Sequence, residues 1–246
     1  MSAALIIRNL QHQLERAATP ATKAWFENYL KHVIQYRGVK SPEVSTIVSR
    51  WRLEQGLNNL PTHAQLDIAS SLMRQTMAED KFAGIFYIQK YLLGHIEDKE
   101  LISAIESLFK AGAFWDWSTT DWLCVRVVDP LVLRNGQTVA RRVAAWHRSK
   151  VLWQRRASIV AFRGATKFKS YHSLIEGTIS KLVIEDERFI QTAVGWVISD
   201  LSKTFPGVAQ RIVDKHFERL SGEVIKRHTT YLHGHSRYVK AKRKCP

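Results

Sequence analysis

Apolar residues recur three and four positions apart along nearly the whole chain, and this spacing constrains the fold more than any other feature. Ala4, Leu5, Leu10 and Leu14 share one helical face, as do Ile85, Ile88, Leu92 and Ile96, and again Ile102, Ile105, Leu108 and Phe109. Side chains return to one direction about every 3.6 residues in a helix and every second residue in a strand. No strand-like alternation is present. Breakers and caps punctuate the pattern at Thr19-Pro20, Ser41-Pro42, Pro61-Thr62, Glu97-Asp98, Asn135-Gly136, Gly164, Phe205-Pro206 and Ser221-Gly222. The chain is therefore expected to be all-α. Short loops between helices of similar length imply stacked antiparallel pairs, an α-solenoid of HEAT-like repeats with a concave groove. A compact irregular bundle would satisfy the same spacing.

With 246 residues, 45% apolar and 24% charged, the chain is neither disordered nor a disulfide-stapled miniprotein, and one domain over 1–246 is expected. The N-terminal stretch carries Glu15 and has no small-residue cleavage site, which argues against a signal peptide. No segment reaches the roughly 18 uncharged apolar residues of a membrane span. The only cysteines are Cys124, in an apolar run, and Cys245, near the end. That usage fits a reducing, cytoplasmic setting.

The net charge of +15 is unevenly placed. Residues 1–129 hold equal numbers of cations and carboxylates, so the whole excess lies in 130–246. From Pro130 to Ile175 there is no carboxylate, whereas Arg134, Arg141, Arg142, Arg148, Lys150, Arg155, Arg156, Arg163, Lys167 and Lys169 all fall there, with Trp146, Trp153 and Phe162 interleaved. A solvated helix face normally mixes signs, so this stretch reads as a polyanion-binding surface and makes the expected groove basic.

No phosphate-binding glycine loop, HExxH or paired CxxC occurs. His228, His233, His235 and Cys245 match no zinc spacing and stand among cations, so no metal site is expected. Residues 226–246 read as a mobile basic tail. Three helical stretches stand out: Phe114-Trp115-Asp116-Trp117-Ser118-Thr119-Thr120-Asp121-Trp122, which puts Trp117 and Asp121 one turn apart; Trp153-Gln154-Arg155-Arg156-Ala157-Ser158-Ile159; and Phe189-Ile190-Gln191-Thr192-Ala193-Val194-Gly195-Trp196-Val197-Ile198. Singly, each has an ordinary reading as core, cap or solvated cation.

Together, in this order and at these separations, the stretches resemble the DNA alkylation repair glycosylases of the AlkD type, which are built from HEAT-like repeats. The resemblance runs from about Gly38 to Phe217 and includes the Gly38-Val39-Lys40-Ser41-Pro42 turn. It implies that Asp121 is the catalytic aspartate, that Trp117 and Trp196 face the lesion, and that Arg156 binds a DNA phosphate, with Arg155 and Lys40 as further phosphate contacts. Trp115 is the alternative to Trp117, which keeps the four-residue spacing to Asp121. The implied partner is double-stranded DNA containing alkylated purines, bound by a monomer without cofactor or metal.

The residue types suit that chemistry. An N3- or N7-alkylated purine is cationic, so it leaves as a neutral base and passes positive charge to the sugar. A carboxylate stabilises that oxocarbenium-like state. Indole faces attract the charged base, and an arginine fork grips phosphate. No lysine stands in the motif beside Asp121, which favours a monofunctional hydrolase. A catalytically silent HEAT-repeat protein binding DNA or RNA by shape and charge would show the same basic half, without need of Asp121 between tryptophans.

Overall fold

The computed structural model describes residues 2–243, and Lys244, Cys245 and Pro246 at the end of the basic tail lie outside the described residues. Among the described residues there is no β-strand, only an isolated bridge between Gln35 and Met77. The helices are α1 (Ala3–Ala17), α2 (Pro20–Tyr29), α3 (Ser41–Glu54), α4 (Thr62–Met73), α5 (Ala78–Tyr87), α6 (Asp98–Lys110), α7 (Trp117–Leu123), α8 (Asp129–Ala144), α9 (Leu152–Val160), α10 (His172–Leu182), α11 (Arg188–Thr204), α12 (Pro206–His216), α13 (Gly222–His228) and α14 (His235–Lys242). They gather into two compact units, Met1–Val127 and Val128–Pro246. The architecture is all-α, with neighbouring helices stacked as HEAT-like repeats.

Helix starts follow the local chemistry. Thr19 caps α2 ahead of Pro20, Pro42 and Pro206 occupy the first turns of α3 and α12, and the Ser221 hydroxyl accepts from the Val224 amide at the start of α13. Proline has no N–H to lose at these positions, and a hydroxyl satisfies an amide left orphaned by the helix geometry. Asn135-Gly136 behaves differently. Instead of separating two helices it breaks α8 internally, with Gly136 at φ 58°, ψ −140°, and the helix resumes beyond it.

In the first unit, α1 packs on α3 and α4, α3 on α5, and α5 on α4 and α7. Leu10, Leu14, Val48, Ala69 and Leu72 of these helices are fully buried, as are Ile105 and Phe109 of α6, which packs on α4. The polar tips of the larger side chains are satisfied: Trp51 Nε1 donates to the Ile6 carbonyl (3.1 Å) and the Tyr87 hydroxyl to Gln65 Oε1 (2.7 Å). In the second unit α11 is the central helix, contacting α9, α10, α12 and α13. Its Val194, Val197, Ile198 and Leu201 are buried, as are Ile159, Ile179, Val213 and Val224 of the helices it contacts.

The basic segment from Lys226 to Arg243, expected as a tail, is built into α13 and α14. Buried Leu232 and Tyr238 anchor it, the Tyr238 hydroxyl donates to the Asp214 carboxylate, and Lys242 Nζ donates to the carbonyls of Phe217 and Glu218 at 3.1 Å each. Two apolar side chains and three such contacts offset the cost of ordering a segment that composition alone would leave solvated.

Candidate functional site

In the first unit the Trp115–Trp122 stretch opens α7. Asp116 is its N-cap: the carboxylate accepts from the Thr119 amide at 2.9 Å and from the Thr119 hydroxyl. Burial raises the Asp116 pKa above the ordinary carboxylate range, against these hydrogen bonds and the Lys81 charge. This cap fixes the first turn, so that Trp117 and Asp121 lie one turn apart on α7 as the spacing anticipated. Asp121 is 5% exposed and Trp117 half-buried. The helix then runs directly into a π-helical turn, Cys124–Val128.

Trp115, outside the helix, has a different environment. Lys81 of α5 is fully buried, donates from Nζ to the carbonyls of Met73 (2.8 Å) and Ala113 (2.6 Å), and lies 3.9 Å from the centre of the Trp115 ring. Burial lowers the Lys81 ammonium pKa to about 8, partly opposed by Asp116 and Asp80. One face of Trp115 thus already carries a resident cation, whereas Trp117 and Tyr29 form a T-shaped aromatic pair (ring centres 5.6 Å apart). Tyr29 in turn stacks on Trp25 at 5.3 Å, and both rings are more than half exposed. Sequence reasoning missed this aromatic run. Its one local signal is the four-residue spacing of Trp25 and Tyr29 on α2.

Lys40 caps α3 by its backbone and is exposed. The turn before it is held by the buried carboxylate of Glu79, which accepts from the amides of Arg37 (3.0 Å), Gly38 (2.8 Å) and Val39 (3.1 Å). Gly38 has φ +112°, and a Cβ there would stand 2.3 Å from the Thr19 carbonyl oxygen. Only glycine fits.

In the second unit α9 carries both arginines of the pair. Arg156 is 4% exposed and reaches α11, donating to the Phe189 carbonyl and, at 3.3 Å, to the Thr192 hydroxyl. Trp153 packs on Phe189 beside it, ring centres 5.0 Å apart. Arg155 points elsewhere: Nε pairs with Glu185 at 3.1 Å, and its guanidinium also donates to the carbonyls of Ser149 and Lys150. Half-buried Trp196 of α11 has the Arg163 guanidinium 3.8 Å from its ring centre, and Arg163 is bonded to Asp200 at 2.6 Å. The Arg163 contact was not anticipated, because nothing local links residues 33 positions apart. The backbone of α11 passes close to α13: a Cβ on Gly195 would lie 2.6 Å from the His228 ring.

These units define an all-helical repeat protein with a cationic C-terminal half and an indole–carboxylate pair on one short helix. By sequence the chain belongs to the DNA alkylation repair enzyme family, whose model matches residues 10–232. No curated protein sequence matches it. A solved structure described as a predicted DNA alkylation repair enzyme from Enterococcus faecalis has the same fold, with a TM-score of 0.75 and 20% identity over 87% of this chain and 96% of that one. Among the described residues no helix is long and apolar enough to cross a membrane.

Proposed function

We propose that the chain is a monofunctional DNA glycosylase that hydrolyses the N-glycosidic bond of cationic N3- and N7-alkylated purines in double-stranded DNA. The observation that carries this reading is the pairing on α7 of a buried carboxylate, Asp121, with an indole one turn earlier, Trp117, on a helix locked by the Asp116 cap. A rigid helix holds the carboxylate in place before the reaction, so its charge need not be reorganised as positive charge develops on the sugar. Asp121 is assigned to stabilising that charge and orienting the attacking water. Trp117 is favoured over Trp115 as the lesion-facing indole, since it stands on α7 one turn before Asp121, whereas Trp115 precedes the helix. Tyr29, in its T-shaped pair with Trp117, extends the aromatic surface.

To the second unit the reading assigns grip and selectivity: Arg156 to a phosphate beside the lesion, Trp196 to the cationic base, and Arg155 to a supporting phosphate contact. Lys40 of the first unit is assigned a further one. Arg155 is also paired with Glu185. Cation–π attraction contributes about 0.5–2 kcal/mol per indole, and a neutral purine lacks it. The deciding assay is release of 3-methyladenine and 7-methylguanine from methylated duplex with formation of abasic sites. Methylated DNA bound without base release would leave a non-catalytic binding protein.

A further inference from the structure

The second unit contains a cleft of about 570 Å³ that none of the residues assigned to the glycosylase reading line. One wall carries Arg141, from the last turn of α8, and Arg148, from the turn that follows; the other carries Ser173, Gly177 and Lys181 of α10. No carboxylate lines it. Glu176, the acid beside it in sequence, is paired with Arg211 at 3.7 Å. Among the described residues Arg141, Arg148 and Lys181 have no ion-pair partner, and all three are exposed.

Gly177 sharpens the reading. It stands in the middle of α10 with ordinary helical backbone, where glycine weakens a helix relative to alanine. A Cβ there would meet nothing within 4 Å, so packing does not require glycine. Gly177 lines the cleft, so a long side chain there would occupy part of it.

We propose that this cleft is a phosphate-binding site for the backbone of a nucleic-acid strand. Two guanidinium groups and an ammonium around one concavity, with the Ser173 hydroxyl beside them, match the charge and hydrogen-bond acceptors of phosphodiester groups. The lining holds no Phe, Tyr or Trp ring, and its one imidazole, His147, is held through Nδ1 by the Ala144 carbonyl at 2.8 Å, so the site is assigned to backbone and not to sequence. It is independent of the glycosylase reading. Arg141 and Lys181 also suit the dipoles of the helix ends they occupy, so the test changes the shape of the cleft and leaves its charge alone.

Affinity for a long undamaged duplex is measured across a salt series for the wild type, Gly177→Leu and the double variant Arg141→Ala/Arg148→Ala, with the melting temperature of each. Each phosphate contact contributes about 0.9 to the slope of log affinity against log salt. Both variants are expected to lose at least about threefold in affinity at low salt and about one unit of slope, with the melting temperature of Gly177→Leu at or above that of wild type. Wild-type affinity and slope in a folded Gly177→Leu overturn the proposal, even where the double variant binds weakly, because that loss would then be a general charge effect. Gly177→Gln serves if the leucine variant does not fold, with the same expected loss and no change of charge. At constant ionic strength, adenosine monophosphate and inorganic phosphate are expected to compete equally for the site; preference for the nucleotide would mean base recognition and overturn the assignment to a strand.

Discussion

The Arg163 guanidinium lies 3.8 Å from the centre of the Trp196 ring while bonded to Asp200. That face of the indole is occupied, and a cationic base can use only the other. If Trp196 faces the lesion as proposed, Trp196→Leu removes two things: the Arg163 contact, contributing about 1 kcal/mol to stability, and the surface offered to the cationic base. Its melting temperature and its excision of 7-methylguanine should both fall, with undamaged-duplex affinity nearly unchanged. Arg163→Gln should lower the melting temperature alone and keep excision within about threefold of wild type. Equal loss of excision in the two variants would mean that the uncovered face is not where the base sits.

Asp121→Asn keeps the shape of the side chain and removes its charge. If the carboxylate stabilises the cationic sugar, single-turnover excision of 7-methylguanine should slow at least tenfold, about 1.4 kcal/mol of barrier, while melting temperature and duplex affinity stay close to wild type. A variant as active as the parent would take Asp121 out of the mechanism.

The turn that presents Lys40 depends on Gly38 and Glu79. Gly38→Ala places a methyl group against the Thr19 carbonyl oxygen at a φ of +112°, and should cost about 2 kcal/mol or more in urea unfolding. Glu79→Gln can keep an oxygen on the Gly38 and Val39 amides but turns an N–H toward the Arg37 amide, which now meets a carboxylate oxygen, and should cost about 1–3 kcal/mol. Glu79→Ala should be no milder, since it leaves the same three amides buried and unpaired. Unfolding midpoints equal to wild type would mean that the turn tolerates these changes.

How much of this could be read in advance follows from the range of each interaction. The starts of α2, α3, α12 and α13 were legible because a proline or hydroxyl acts within one turn. The Trp117–Asp121 relation and the pairing of Arg155 with Arg156 on one helix were legible for the same reason. The charged run Glu79-Asp80-Lys81 was not. It looks like a solvated patch, yet all three residues are buried, because their partners come from elsewhere: the 37–39 amides for Glu79, the Arg37 guanidinium for Asp80, and the Met73 and Ala113 carbonyls for Lys81. Composition also misjudged residues 226–243. Three buried side chains, Thr229, Leu232 and Tyr238, decide their order against a background of cations.

Asp129, at the start of α8, should make stability depend on pH. One carboxylate oxygen accepts from the Gly164 amide at 2.9 Å, while the other is buried with no hydrogen-bond partner among the described residues. Burial pushes the Asp129 pKa up to about 6, despite the Gly164 and Ala165 amides and the charges of Arg163 and Lys167. The folded pKa thus lies above the unfolded value of 3.8, and the folded protein holds this proton more tightly. The associated stability is fully present below about pH 4 and is lost as pH rises through about 6. The loss is about 3 kcal/mol, from about two pK units at 1.36 kcal/mol each. Asp129→Asn retains an acceptor for the Gly164 amide and has no charge to titrate. Relative to wild type, its unfolding free energy in urea should therefore rise by about 1–3 kcal/mol between about pH 4.5 and about pH 7.5, with circular dichroism as the readout. Parallel pH profiles for the two proteins would show that Asp129 is ionised throughout this range, and hence that its second oxygen has a partner in solution.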